Sequence, residues 1–234
     1  MKTIAVIAAA GSGKRFKGPL PKQFVKADGM ELIARAVSGF EKEKSVGGIL
    51  IVAAPDFIRF VERNIAAKYG FKKVIGVIPG GRERWQSVYN AVNYLKEIRP
   101  DNVLIHDAAR PVFGKTLVKR ILAGLRRYPA VIPVAKISAT VKTIRGGIIK
   151  GTIDRGSLRT ALTPQGFKFA RLEKFYTAAA VKRHKPTDEA LIFEKSKAKV
   201  MAVEEEGFNI KVTTRQDLEI VEALLKARKR RGKK

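Results

Sequence analysis

The sequence predicts an α/β fold, a mostly parallel sheet covered by helices on both faces, and three observations predict it. Short β-rich runs alternate with longer amphipathic ones along most of the chain. The apolar runs read as strands buried on both faces, which is the signature of parallel pairing. Only one segment departs from this rhythm.

In chain order, TIAVIAAA is the first strand and ELIARAVSGFEK its helix. GGILIVAA precedes DFIRFVERNIAAKYG, KKVIGVIPG precedes RWQSVYNAVNYLKEI, NVLIHDAARP precedes KTLVKRILAGLRRY, and AVIPVAKI follows. The longer runs place Ile, Val, Leu and Phe at helical spacing. From Ser138 to Gly156 the chain instead alternates β-branched and polar residues around Arg145-Gly146-Gly147, which predicts a two-stranded hairpin projecting from the sheet. An isolated hairpin is marginal in water, so this arm is expected to pack against a second subunit. With no internal repeat or low-complexity linker, residues 1–225 form one domain, with the arm at about 138–156 and a basic tail at 226–234.

Composition sets limits on function. A chain of 234 residues with 45% hydrophobic content supports one α/β domain with a full core. No apolar run approaches the roughly 20 residues needed to span a bilayer. Cysteine is absent, which removes disulfides, thiol catalysis and thiolate metal sites, and two histidines argue against a histidine-built zinc site. Lys and Arg number 48 against 21 Asp and Glu, a formal net charge of +27. That excess draws polyanions of any kind, and KARKRRGKK at the end concentrates it, but no RNP, KH or zinc-finger pattern accompanies it. The tail reads as a solvated helix end, and a basic nucleic-acid-binding protein is the remote alternative.

The opening MKTIAVIAAAGSGKRF admits two readings. A charged start, an apolar run and small residues suit a secretory leader. Equally, a strand running into Gly11 and Gly13 suits a turn whose backbone N–H groups face an anion, with Lys14 and Arg15 adding charge beside it. It is neither a Walker A loop nor a full GxGxxG. Two later motifs favour the phosphate loop. PLPKQF stiffens the chain before Lys22, which can aim an ammonium at the same anion, and HDAARP puts Asp107 and Arg110 just past a buried strand, where open α/β sheets bind ligands.

Together these motifs resemble the 2-C-methyl-D-erythritol 4-phosphate cytidylyltransferase family of the non-mevalonate isoprenoid pathway. AAAGSGKRF with PKQF, GGRERWQSV, HDAARP, DRGSLRTALTPQGF, TDEA and NIKVTTRQDLEIVEALL occur in the family's order and cover the chain to about Leu225. The resemblance implies a Rossmann-like three-layer sandwich, a homodimer formed through the β-arm, CTP and a sugar-alcohol phosphate as partners, Mg²⁺ as cofactor, and a cytoplasmic location. Ala9, Ala10, Gly11, Gly13, Arg15 and Lys22 are then expected to hold the triphosphate, and Gly81, Ser87 and Ala108 the cytidine. Asp107, Arg110, Thr163, Thr187 and Lys211 would line the acceptor pocket, and Thr140 and Arg155 would reach the partner's site from the arm. The leader reading is rejected.

Blander readings accompany these roles. Thr163 and Thr187 also suit turns or caps, His106 reads as structural, Trp85 as helix-face packing, and Asp188 with Glu189 as helix-start charges. Lys211 is harder to dismiss, because it interrupts the strand-like NIKVTT. One departure from the family is Arg82, where an acidic residue often follows the glycine pair. Base selection through backbone groups around Gly81, with Ser87, tolerates it. The chemistry requires no base, since an ionised acceptor phosphate attacks the α-phosphorus of CTP directly. The site has to align the groups and neutralise charge, for which Arg15, Lys22 and Lys211 with Mg²⁺ are suited. Asp107 is expected at the metal or at an acceptor hydroxyl. A cytidylyltransferase for another polyol phosphate, such as ribitol 5-phosphate, is the second reading.

Overall fold

The structure is a computed structural model describing residues 2–11, 13, 16, 18 and 20–231, the last without its side chain. The chain runs through β1 (Thr3–Ala9), a short hairpin of β2 (Lys26–Ala27) and β3 (Met30–Glu31), α1 (Leu32–Glu41), β4 (Gly48–Ala53), α2 (Ile58–Phe60), β5 (Val74–Pro79), α3 (Arg84–Leu95), β6 (Asn102–Asp107), α4 (Leu117–Leu125) and β7 (Ala130–Lys136). There follow β8 (Val141–Arg145), β9 (Ile148–Ile153), β10 (Arg159–Ala161), β11 (Gln165–Lys168), α5 (Phe169–Phe175), α6 (Ala178–His184), α7 (Ala190–Lys195), β12 (Val200–Glu204) and α8 (Arg215–Arg231).

The main sheet has the order β10-β7-β11-β6-β1-β4-β5, with β12 also beside β7. Strands β6, β1, β4 and β5 are parallel, and the apolar opening run is thus the central strand. Alternate residues of β1 feed two cores, as a pleat requires. Ala5, Ile7 and Ala9 meet Ile33 and Val37 of α1 and Ile121 of α4. Ile4 and Val6 meet Val88 and Val92 of α3 and, beyond them, Leu172, Val181 and Phe193 of α5 to α7. Three layers result. A smaller core joins Val221 of α8 to Phe16, Leu32 and Val112, which seats the last helix beside the glycine-rich turn.

The expected hairpin is present as β8 and β9, separate from the main sheet, and Gly146 and Gly147 turn it with φ of +58° and +78°. Ile144, Ile148 and Ile149 on it are 61–65% exposed. Because the arm returns the chain to the end of β7 that it left, the next strands run the opposite way. Accordingly β10 and β11 are antiparallel to β7, and β11 also to β6. Gly166 in β11 lies under α4, where an added Cβ would stand 2.3 Å from Ile121 Cγ2.

Two local expectations change, and the tail is a helix end as the sequence suggested. The helix expected at DFIRFVERNIAAKYG is a 3₁₀ turn and a short α segment continuing as a π-helix over Val61–Ala67. NIKVTT forms no strand; it is a segment without regular secondary structure whose Val212 N–H donates to the Ala109 carbonyl at 2.8 Å. The basic tail is the continuation of α8 past Leu225 to Arg231, with Lys229 paired to Asp28, while residues 232–234 lie outside the described part. Among the described residues no helix is long and apolar enough to cross a membrane.

Gly166→Ala is expected to lower unfolding stability by about 1–3 kcal/mol, since α4 must shift to admit one methyl group. A denaturant midpoint equal to that of the parent chain would contradict this close helix–strand contact.

Candidate active site

A cavity of about 340 Å³ opens at the carboxyl ends of β1 and β6, closed on one side by the turn into α3 and on the other by residues 211–213. Open α/β sheets bind ligands at this end because loops diverge there. Ala9, Ala10, Gly11, Gly13 and Lys22, expected at a triphosphate, all line it, as do Gly81, Ser87 and Ala108, expected at a nucleoside. Arg15 lies outside the described residues.

Glycines make the approach of these loops possible. An added Cβ on Gly80 would stand 2.4 Å from Ala10 Cβ and 2.7 Å from Ser87 Oγ, so the ends of β1 and β5 come together only without one. Gly81 N–H then donates to Ser87 Oγ at 3.1 Å. Gly13 has φ of +65°. Nearby, buried Gln23 donates from Nε2 to the carbonyls of Ala9 (2.7 Å) and Gly11 (3.0 Å), fixing the turn from behind. Lys22 Nζ donates to the Val212 carbonyl at 2.8 Å, linking the loop to the far end of the chain.

Asp107 is the electrostatic centre. Its Oδ1 meets Arg84 Nε at 3.1 Å, and its Oδ2 meets Lys211 Nζ at 2.8 Å and Arg110 Nε at 3.3 Å. Burial alone would raise this carboxyl, but Arg84, Lys211 and Arg110 together hold it far below the usual carboxylate range. The expectation of a magnesium ion on Asp107 therefore meets a carboxylate already facing three cations, and no cluster of three or more potential metal ligands occurs among the described residues. This donor set does not fit a divalent cation. Arg84 also reaches Glu189 Oε1 at 2.6 Å, and Arg110 Nη1 donates to the Asn209 carbonyl at 2.8 Å.

His106, wholly buried, is structural as expected. One ring nitrogen, Nε2, faces the Arg110 carbonyl at 2.9 Å, and a carbonyl only accepts, so Nε2 carries the proton. Nδ1 then accepts from Thr163 Oγ1 at 2.9 Å, leaving that oxygen to accept from Asp107 N–H at 3.2 Å. Burial pulls the imidazole pKa down to about 4. Arg110 and Thr163 are thus buried behind the cavity and shape it through Asp107.

Lys211 lines the cavity although its segment is no strand, and its position follows from the Val212–Ala109 hydrogen bond. Thr187 is exposed and off the cavity wall, and Thr140 and Arg155 are exposed at the base of the arm. There Arg155 Nη1 donates to the Ser138 carbonyl. Asp188 does act at a helix start, its Oδ1 accepting from Leu191 N–H at 3.3 Å. Glu189 does not: it is fully buried against Arg84. Gln23, Arg84, Thr213 and Asn209 were not singled out from the sequence. A glutamine and an arginine inside PKQF and GGRERWQSV were the available signals.

Comparisons with known proteins place nearly the whole chain in one family. The sequence model of the family described as 2-C-methyl-D-erythritol 4-phosphate cytidylyltransferase matches residues 3–227. Proteins of that name from Chlorobium phaeobacteroides and Geobacter metallireducens are 35% and 33% identical, over 96% and 97% of this chain and 94% and 98% of theirs. The solved 4-diphosphocytidyl-2C-methyl-D-erythritol synthase of Anaerococcus prevotii superposes with a TM-score of 0.83 at 27% identity, covering 96% of each chain. The Thermus thermophilus cytidylyltransferase superposes with a TM-score of 0.78 at 27% identity, covering 97% of this chain and 100% of that one.

The His106 arrangement has a measurable consequence. Since the folded pKa lies below the ordinary value of about 6.5, the unfolded chain takes up the proton first. The stability from this site is complete above pH of about 6.5 and is lost as pH falls towards 4. Long-range ¹H–¹⁵N NMR is expected to show a protonated Nε2 that titrates only near pH 4. Titration near 6.5 would contradict the sealed environment.

Proposed function

The chain belongs to the 2-C-methyl-D-erythritol 4-phosphate cytidylyltransferase family, and from that premise we infer which residues carry each part of the reaction. The enzyme joins CTP and 2-C-methyl-D-erythritol 4-phosphate to give 4-diphosphocytidyl-2-C-methyl-D-erythritol and pyrophosphate. The match across residues 3–227 is the observation that carries this conclusion.

An oxygen of the acceptor phosphate attacks the α-phosphorus of CTP as the bond to the β-phosphate breaks, and pyrophosphate leaves with that electron pair. The nucleophile is already ionised near neutral pH, so buried His106 has no proton to take. In this reading the glycine turn of Gly11 and Gly13 offers N–H groups to the triphosphate, with Lys22 as its cation and Arg15 beside it. Gly81, Ser87 and Ala108 receive the cytidine. Base selection in this reading rests on backbone groups around Gly81, with Ser87, which tolerates Arg82 on the cavity wall. Lys211, held ready by Asp107, turns its ammonium to the acceptor phosphate. Asp107 sets the positions of three cations rather than holding a metal. Magnesium, in this reading, arrives with the triphosphate. The enzyme acts in the cytoplasm, where CTP is available.

The exposed isoleucines of the arm support a homodimer in which Thr140 and Arg155 complete the partner's acceptor site. A second chain is the occupant best suited to a hairpin too small to stand alone in water.

The purified protein with CTP and Mg²⁺ should release pyrophosphate at least tenfold faster with 2-C-methyl-D-erythritol 4-phosphate than with ribitol 5-phosphate. A preference for ribitol 5-phosphate would reassign the acceptor. Asp107→Asn should lose on the order of a hundredfold in kcat/KM, and recovery at high Mg²⁺ would instead make Asp107 a metal ligand.

For the arm, mixing inactive Arg155→Ala and inactive Lys22→Ala chains should restore part of the activity, because some heterodimers contain one intact site. No recovery after demonstrated subunit exchange would place every site within one chain.

A further inference from the structure

The roles above leave one buried ion pair unused. Glu189, at the start of α7, is wholly buried, and its Oε1 lies 2.6 Å from Arg84 Nη1. Its other oxygen, Oε2, is buried with no hydrogen-bond partner. Burial raises this carboxyl above its ordinary range while Arg84 opposes the shift. For stability alone such an arrangement is poor, since a well-packed apolar pair often does as well or better. Something other than folding energy accounts for it.

Geometry supplies that reason. Arg84 is a planar fork held at two points, Nε on Asp107 at 3.1 Å and Nη1 on Glu189 at 2.6 Å. Two carboxylates, from β6 and from the α7 start, thereby fix the plane of one guanidinium. Tyr176 adds a third restraint, its buried hydroxyl lying 3.4 Å from Glu189 Oε1. The remaining nitrogen, Nη2, has no partner among the described residues, and Arg84 lines the catalytic cavity. A guanidinium fixed in this way keeps its spare donors in one place without reorganising during reaction.

Resting on the cytidylyltransferase reading, we propose that Glu189 is a positioning residue for cytidylyl transfer: it locks Arg84 across the cavity wall so that Nη2 donates to a phosphate oxygen at the reacting centre. Lysine cannot replace Arg84 here, because one ammonium cannot span both carboxylates and still present a directed donor.

A double-mutant cycle tests this in the full-length enzyme. Glu189→Gln and Arg84→Lys are each expected to lower kcat tenfold or more, with KM for CTP within threefold of the parent and unchanged far-UV circular dichroism. The double variant is expected to be no slower than the slower single variant, because the residues act as one unit. Multiplied losses, or full kcat in Glu189→Gln, would overturn the proposal. A second measurement needs neither a folded variant nor turnover. In the parent protein, the Arg84 Nε–H signal in ¹⁵N NMR, assigned through correlations along its own side chain to the backbone, is expected to exchange slowly with solvent; rapid exchange would overturn the lock. A parent protein that releases no pyrophosphate would sink the functional reading instead, and the NMR measurement would still judge the lock.

Discussion

The site depends on the carboxylate of Asp107. Arg84 from α3, Arg110 from the turn after β6 and Lys211 from the segment before α8 all converge on it. Without a shared anion these cations would repel one another by about 4 kcal/mol per pair at 4 Å in a medium of intermediate polarity. Asp107 can serve all three because it stands at the last position of a strand whose register with β1 pairs it with Ala8. Sheet pairing thus sets the charge layout of the cavity to within a residue, since a slip by one would turn Asp107 to the opposite face. Behind it, the chain of hydrogen bonds from Asp107 N–H through Thr163 to His106 and the Arg110 carbonyl fixes the same turn without any charge.

Both ends of the chain meet at this cavity. The glycine turn follows the first strand, and the segment bearing Lys211 precedes the last helix. They are tied by Lys22 to the Val212 carbonyl and by packing of Phe16 on Val221. Asp217 caps the start of that helix by accepting from the N–H groups of Thr213 and Thr214, both at 2.8 Å. The last helix is therefore anchored beside the cavity by the segment that precedes it, which places Lys211 and Thr213 on the cavity wall.

The parallel half of the fold was legible because each of its strands carries a run of apolar residues and each is followed by a segment with apolar residues at helical spacing. The antiparallel strand β11 was not, since QGFK is too short for a period and its direction is set by the arm that precedes it. In the site, residues embedded in motifs were legible: the glycines, Lys22, Asp107 and Ser87 all line the cavity. Lys211 was legible as a lysine interrupting a buried run, since Asn209 and Val212 beside it are buried, although the segment forms no strand. Arg84 and Glu189 were missed because charge at a helix start usually faces water. Their pairing across 105 residues leaves no local trace. Arg15 stays an expectation from its motif.

The charge and the arm act on association in opposite directions. Two chains of this composition, each carrying a formal +27, repel at low ionic strength, while the arm's isoleucines favour contact regardless of salt. At about 0.15 M salt the repulsion reaches only some 8 Å, so added salt would favour the proposed pairing of two chains. The same screening weakens the pull of the cationic cavity on a tetra-anionic nucleotide. For the proposed dimer, ionic strength would thus set a compromise, since added salt favours the pairing of two such basic chains and weakens the capture of a polyanion by the cavity.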